Sequence, residues 1–121
     1  MALEDITSKI ITFRDDRDWS QFHSARNLIA AINVEAGELQ EAVLWMADHE
    51  VEAMLESDKR ERITDELADI LIYSLLLSAE LDEDPIELIE AKLGKNEQKY
   101  PVKLSKGKST KYTDFSSDED Q

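Results

Sequence analysis

The chain has 121 residues, enough for one domain and too few for a second independent core. It has no cysteine, which excludes a disulfide scaffold, a thiolate zinc site and a cysteine nucleophile. Acidic residues number 28 and basic ones 14, a net charge of −14, so nucleic acid polymers and anionic membranes are repelled unless cations intervene. Hydrophobic residues make up 41%, too many for a disordered chain. No apolar run reaches the roughly 18 residues a membrane span needs. The opening MALEDITSKI lacks a basic stretch followed by an apolar one, so no secretory signal is expected and the cytoplasm is the expected compartment. Three Gly and two Pro leave little punctuation and favour long helices.

The elements read as four helical segments in the first 100 residues. Leu3, Ile6, Ile10 and Phe13 recur at helical spacing and predict a helix over 3–14. A charged stretch follows, then the aromatic piece Trp19-Ser20-Gln21-Phe22-His23. The second helix is expected over 24–46, with Ser24 as its N-cap. The third begins near Ser57-Asp58, where Asp58 and Glu61 have capping-box spacing, and runs to about Leu81. Residues 47–58 between them read as an acidic loop. The fourth has the clearest start, with Asp84 as N-cap, Pro85 in the first turn and Glu87 behind it. It ends before Tyr100-Pro101. The expected architecture is an all-α four-helix bundle over 1–101. An extended, lysine-rich arm over 102–121 follows, with a disordered acidic tip at 116–121.

The third segment carries a second message. In Leu67-Ala-Asp-Ile-Leu-Ile-Tyr-Ser-Leu-Leu-Leu the apolar residues surround the helix. A helix apolar all round is buried all round, and a lone bundle of this length leaves one flank wet. That flank is expected to pack against a second copy of the chain.

Acids three residues apart occur eight times, so spacing alone selects nothing. Position on the helix does. At about 100° per residue, Glu35 falls at the margin of the stripe formed by Leu28, Ile32, Leu39, Val43 and Met46, and Glu38 lies one turn on, on the same side. Glu66 and Asp69 repeat the pattern beside Ile63, Ile70, Tyr73 and Leu77. Glu87 and Glu90, by contrast, point away from Ile86, Ile89 and Leu93 and are expected to face water. If the two helices are neighbours, four carboxylates converge. Two like charges at about 4 Å cost roughly 4 kcal/mol at an effective dielectric near 20. The cluster must take up protons or bind cations, and an all-oxygen donor set favours Mg²⁺, with Mn²⁺ as a substitute. A di-iron carboxylate bundle needs Glu-x-x-His on two helices, and neither His23 nor His49 follows a Glu by three.

Glu35-Ala-Gly-Glu38 and Glu66-Leu-Ala-Asp69, 27 residues apart, resemble the E-x-x-E…E-x-x-D signature of the MazG-like, all-α nucleoside triphosphate pyrophosphohydrolases. Arg17-Asp-Trp-Ser-Gln-Phe-His23, Arg26-Asn-Leu28, Trp45, Asp69-Ile-Leu-Ile-Tyr73, Lys92, Asn96, Tyr100-Pro101 and Lys111-Tyr-Thr113 are similar to the dCTP pyrophosphatase branch. The resemblance spans about residues 10–115. It implies Mg²⁺-dependent hydrolysis of a nucleoside triphosphate to the monophosphate and pyrophosphate, and a dimer or tetramer with sites near helix interfaces. By position Glu35, Glu38, Glu66 and Asp69 are metal ligands, with Glu35 or Glu38 also a candidate for activating water. Trp19, His23, Trp45 and Tyr73 are candidates for holding the base, Phe22 for packing. Lys92, Asn96 and Lys99 are candidates for the triphosphate. The alternatives are a phosphoribosyl-ATP pyrophosphatase, which shares the acids, and a non-catalytic helical interaction module, which has no reason to bury four of them.

Overall fold

The structure, a computed structural model, describes residues 1–115. It is all-α, with six helices, two short 3-10 turns and no strand among the described residues. The acidic tip expected at 116–121 lies outside them. The chain divides into two compact units, Met1–Glu83 and Asp84–Gln121.

In the first unit, α1 spans Leu3–Asp16. Its start is closed by Asp5, whose carboxylate accepts from the Ala2 N–H at 3.0 Å. A 3-10 turn at Ser20–Phe22 leads to α2, Ala25–Glu41. Ser24 caps α2 as expected, its hydroxyl accepting from the Asn27 N–H at 3.2 Å. The Asn27 side chain also donates to the Phe22 carbonyl at 2.9 Å, which fastens the aromatic turn to the helix start.

α2 stops about five residues short of the expected end. From Ala42 to Trp45 the chain winds in tight turns, Val43 N–H donating to Gln40 O and Met46 N–H to Val43 O. Trp45 takes a left-handed backbone, φ 66°. The expected loop over 47–58 is largely a helix, α3, Asp48–Leu55. Its apolar positions Val51, Met54 and Leu55 share one face, and Met54 is buried. Helix α4 spans Arg60–Glu80. The expected capping box of Asp58 and Glu61 does not form. The chain already winds as a turn from Ser57 to Arg60, so no extended residue precedes the helix to take the cap, and the Ser57 hydroxyl accepts from Lys59 N–H instead.

α2 against α4 is the principal helix pairing, and α1 also lies on α4. Leu28 of α2, 1% exposed, and Leu76 of α4, 4% exposed, anchor the core. The other flank of α4 is open in the single chain: Leu67 is 47% and Leu71 56% exposed.

In the second unit, α5 spans Pro85–Lys99. Its start matches expectation: the Asp84 carboxylate accepts from Ile86 N–H at 3.0 Å and Pro85 occupies the first turn. Glu87 and Glu90 are exposed, as expected. Beyond Pro101 come α6, Val102–Ser105, a left-handed Gly107 and a 3-10 turn at Tyr112–Asp114. The rings of Tyr112 and Phe115 meet Tyr100 edge-on at 5.9 and 5.6 Å, which folds the arm back onto the end of α5.

Candidate active site

The pairing of α2 with α4 brings three glutamates together. Carboxylate oxygens of Glu35, Glu38 and Glu66 all lie within 4.8 Å of one another. Glu35 and Glu66 are half-buried and Glu38 is exposed. Oε2 of Glu35 and Oε2 of Glu66 are shielded from solvent without a hydrogen-bond partner. Shielded carboxylate oxygens with nothing to accept from are costly. The Glu35 pKa responds by rising from 4.5 to about 7. The facing Glu66 carboxyl is the largest cause, followed by burial and by the charges of Glu38 and Asp69. Three oxygen donors around a small space, two of them with orphaned oxygens, fit a hard divalent cation. Asp69 stands outside this set of three, although its charge reaches Glu35.

Asp69 lines a cavity of about 430 Å³ together with Trp19, His23, Ile72, Tyr73 and Leu76, closed on another side by α1. Phe13, Trp19, His23 and Tyr73 form an edge-to-face series, with centroid separations of 5.7, 6.5 and 6.2 Å. Arg17 stacks on Phe13 at 3.7 Å from the ring centroid and donates to the Phe13 carbonyl at 3.0 Å, bracing the series from outside. His23 Nδ1 is buried and unpartnered. The Tyr73 pKa is raised, first by burial and then by Glu35, Asp69 and Glu38. Tyr73 therefore sits within the electrostatic field of the acids while walling the cavity. Its hydroxyl stays protonated and can donate.

The candidate residues thus separate into groups. Trp19, His23, Asp69 and Tyr73 share the cavity, and Glu35, Glu38 and Glu66 share the acid cluster. Trp45 joins neither. It is 93% exposed in a turn whose left-handed backbone is strained for a bulky side chain. Phe22, expected to pack, is 59% exposed. Lys92, Asn96 and Lys99 lie on one face of α5 in the second unit, with the Lys99 ammonium 4.9 Å above the Tyr112 ring.

The sequence reading overlooked the contribution of α1. Lys9, Ile10, Phe13 and Arg14 all line the cavity. A signal was present: Arg14 follows Ile10 by four residues and so falls inside the apolar stripe of α1, where a cation is out of place.

A sequence profile of the MazG-like family matches residues 30–115. Mouse dCTP pyrophosphatase 1 is 42% identical over 115 residues, covering 94% of this chain and 68% of that protein. The human dCTP pyrophosphatase 1 is 37% identical over the same share of each chain. Among solved structures, a pyrophosphatase from Archaeoglobus fulgidus is similar, with a TM-score of 0.76 and 37% identity, covering 82% of this chain and 92% of that one. These likenesses set aside the non-catalytic module. The chain belongs to the MazG-like family and is a nucleoside triphosphate pyrophosphohydrolase.

Proposed function

We propose that the chain hydrolyses dCTP, or a related pyrimidine or modified deoxynucleoside triphosphate, to the monophosphate and pyrophosphate with Mg²⁺, and so cleanses the nucleotide pool. The observation that carries this reading is the set of three converging carboxylates beside an aromatic cavity. The curated relatives named for dCTP support the choice of substrate over phosphoribosyl-ATP.

In this reading Glu35, Glu38 and Glu66 hold the metal ion, and Asp69 completes the acidic set as substrate arrives. When bound, the cation neutralises phosphate charge and lowers the pKa of a water. The chain's own residues do the rest. Trp19 and Tyr73 flank the base, and aromatic faces contribute roughly 1–3 kcal/mol each to such stacking. Glu38, the exposed member of the cluster, is open to solvent and accepts the proton of the attacking water at a carboxylate oxygen. The water oxygen bonds to the α-phosphorus, the bond from that phosphorus to the α–β bridging oxygen breaks, and pyrophosphate leaves. Trp45 enters the reading only through a second copy of the chain, because it stands clear of the cavity in its own.

The test is a panel of canonical and modified triphosphates incubated with Mg²⁺, with products resolved. The expected products are a monophosphate and pyrophosphate, formed fastest from a cytosine deoxynucleotide. A diphosphate and orthophosphate would place the attack at a different phosphorus and contradict the proposal.

A further inference from the structure

The catalytic reading leaves one cavity residue unused. Arg14 lines the nucleoside cavity, and its side chain is only 16% exposed. Its Nε–H donates to Asp15 at 2.8 Å, which fixes the plane of the guanidinium. Among the described residues no other donor of this guanidinium has a hydrogen-bond partner. A guanidinium carries five N–H donors, and the terminal amino groups of Arg14 keep a share of solvent that a bound ligand can replace. Lys9, also on the cavity wall, is exposed and can hydrate its charge. Arg14 is therefore the planar fork that the cavity presents, and a ligand seated there can bring the acceptors.

The position of the fork matters. The cluster of Glu35, Glu38 and Glu66 for the phosphates is built from α2 and α4, whereas Arg14 is on α1 and, of the four acids, shares its cavity with Asp69 alone. Ile10, Phe13, Ile72 and Leu76 give the wall around this cation an apolar surface, which suits a base better than a triphosphate. A fork needs two adjacent acceptors. Cytosine offers them in O2 and N3. Uracil and thymine carry a hydrogen on N3, so donor would face donor. His23 Nδ1, buried and unpartnered in the same cavity, is available to the exocyclic amino group of cytosine.

We propose that Arg14 is a specificity-determining residue that selects cytosine by donating from its two terminal amino groups to O2 and N3 of the base. This rests on the pyrophosphohydrolase reading only for where the phosphates lie. A good bidentate contact between side chain and base discriminates by 1–3 kcal/mol, roughly 5- to 150-fold.

The test compares the wild type with Arg14→Lys, which keeps the charge and loses the fork, and Arg14→Ala. Binding of dCMP and dUMP to metal-free protein is followed by tryptophan fluorescence, and kcat/KM for dCTP and dUTP is measured with Mg²⁺. Thermal midpoints identify any variant that fails to fold, and Arg14→Lys keeps the comparison available if Arg14→Ala does. The expected result is a loss of roughly 10- to 100-fold for the cytosine ligand in both assays, against less than about threefold for the uracil ligand. Equal losses for both bases, no loss, or a wild type that favours uracil would overturn the proposal. If no triphosphate is cleaved, the catalytic reading fails by itself, while the monophosphate arm still reads the role of Arg14.

Discussion

Glu35 on α2 and Glu66 on α4 face each other so closely that Glu66 is the largest single cause of the Glu35 pKa rising to about 7. Each also keeps one shielded oxygen without a partner. Such a pair favours either a shared proton or a cation, and the two compete.

The first prediction is a pH dependence of stability. The folded Glu35 binds its proton up to about 7, the unfolded one only to about 4.5. The folded state thus holds more protons between these values, and stability falls as pH rises through that window. The thermal midpoint of metal-free protein is expected to drop between about pH 5 and about pH 8, and Glu35→Gln to flatten the drop. Saturating Mg²⁺ offsets the loss because it takes the place of the proton. A midpoint that rises over the same interval contradicts the arrangement.

The second prediction concerns turnover. Glu38→Gln and Asp69→Asn remove charge without changing shape, and both positions are exposed, so neither disturbs the core. Each variant is expected to keep its circular dichroism and thermal midpoint, yet fall below about a tenth of the wild-type rate of pyrophosphate release. Retention of more than that removes the residue from the site.

The third prediction separates folding from chemistry. Leu28 is 1% exposed, so Leu28→Ala leaves a cavity and is expected to cost about 2–5 kcal/mol in urea unfolding. Ser24→Ala removes one capping bond at 3.2 Å and is expected to cost about 1 kcal/mol. Both are expected to bind dCMP with wild-type affinity wherever they remain folded.

The sequence disclosed its long helices and their caps because periodicity and capping are local. Ser24 and Asp84 each accept the expected backbone N–H. Local signals failed where tertiary packing decides. The segment of α3 reads as an acidic loop, yet Met54 finds a buried position and holds it helical. Within the acid motif, spacing placed the four carboxylates on equivalent sides of two helices but could not tell that Asp69 leans toward the cavity while the glutamates converge. The contribution of α1 went unseen for a similar reason: only the packing of α1 on α4 turns Arg14 from a charge on a stripe into a cavity wall.

The fourth prediction is a second copy of the chain. Leu67 and Leu71 are exposed on a helix otherwise built for burial, and Trp45 is held outward at a backbone cost. Wild-type protein is expected to sediment as a dimer or tetramer at micromolar concentration, and Leu71→Glu to shift it toward monomer. A stable wild-type monomer would leave the apolar flank unexplained.

The most direct test of the central claim is a Mn²⁺ titration followed by electron paramagnetic resonance, in which the free-ion signal disappears as metal binds. The account predicts saturable binding to the wild type near neutral pH, with proton release, and its loss in Glu35→Gln and Glu66→Gln. Equal binding by these variants, or none by the wild type with a non-hydrolysable triphosphate present, would show that the three glutamates do not form a cation site.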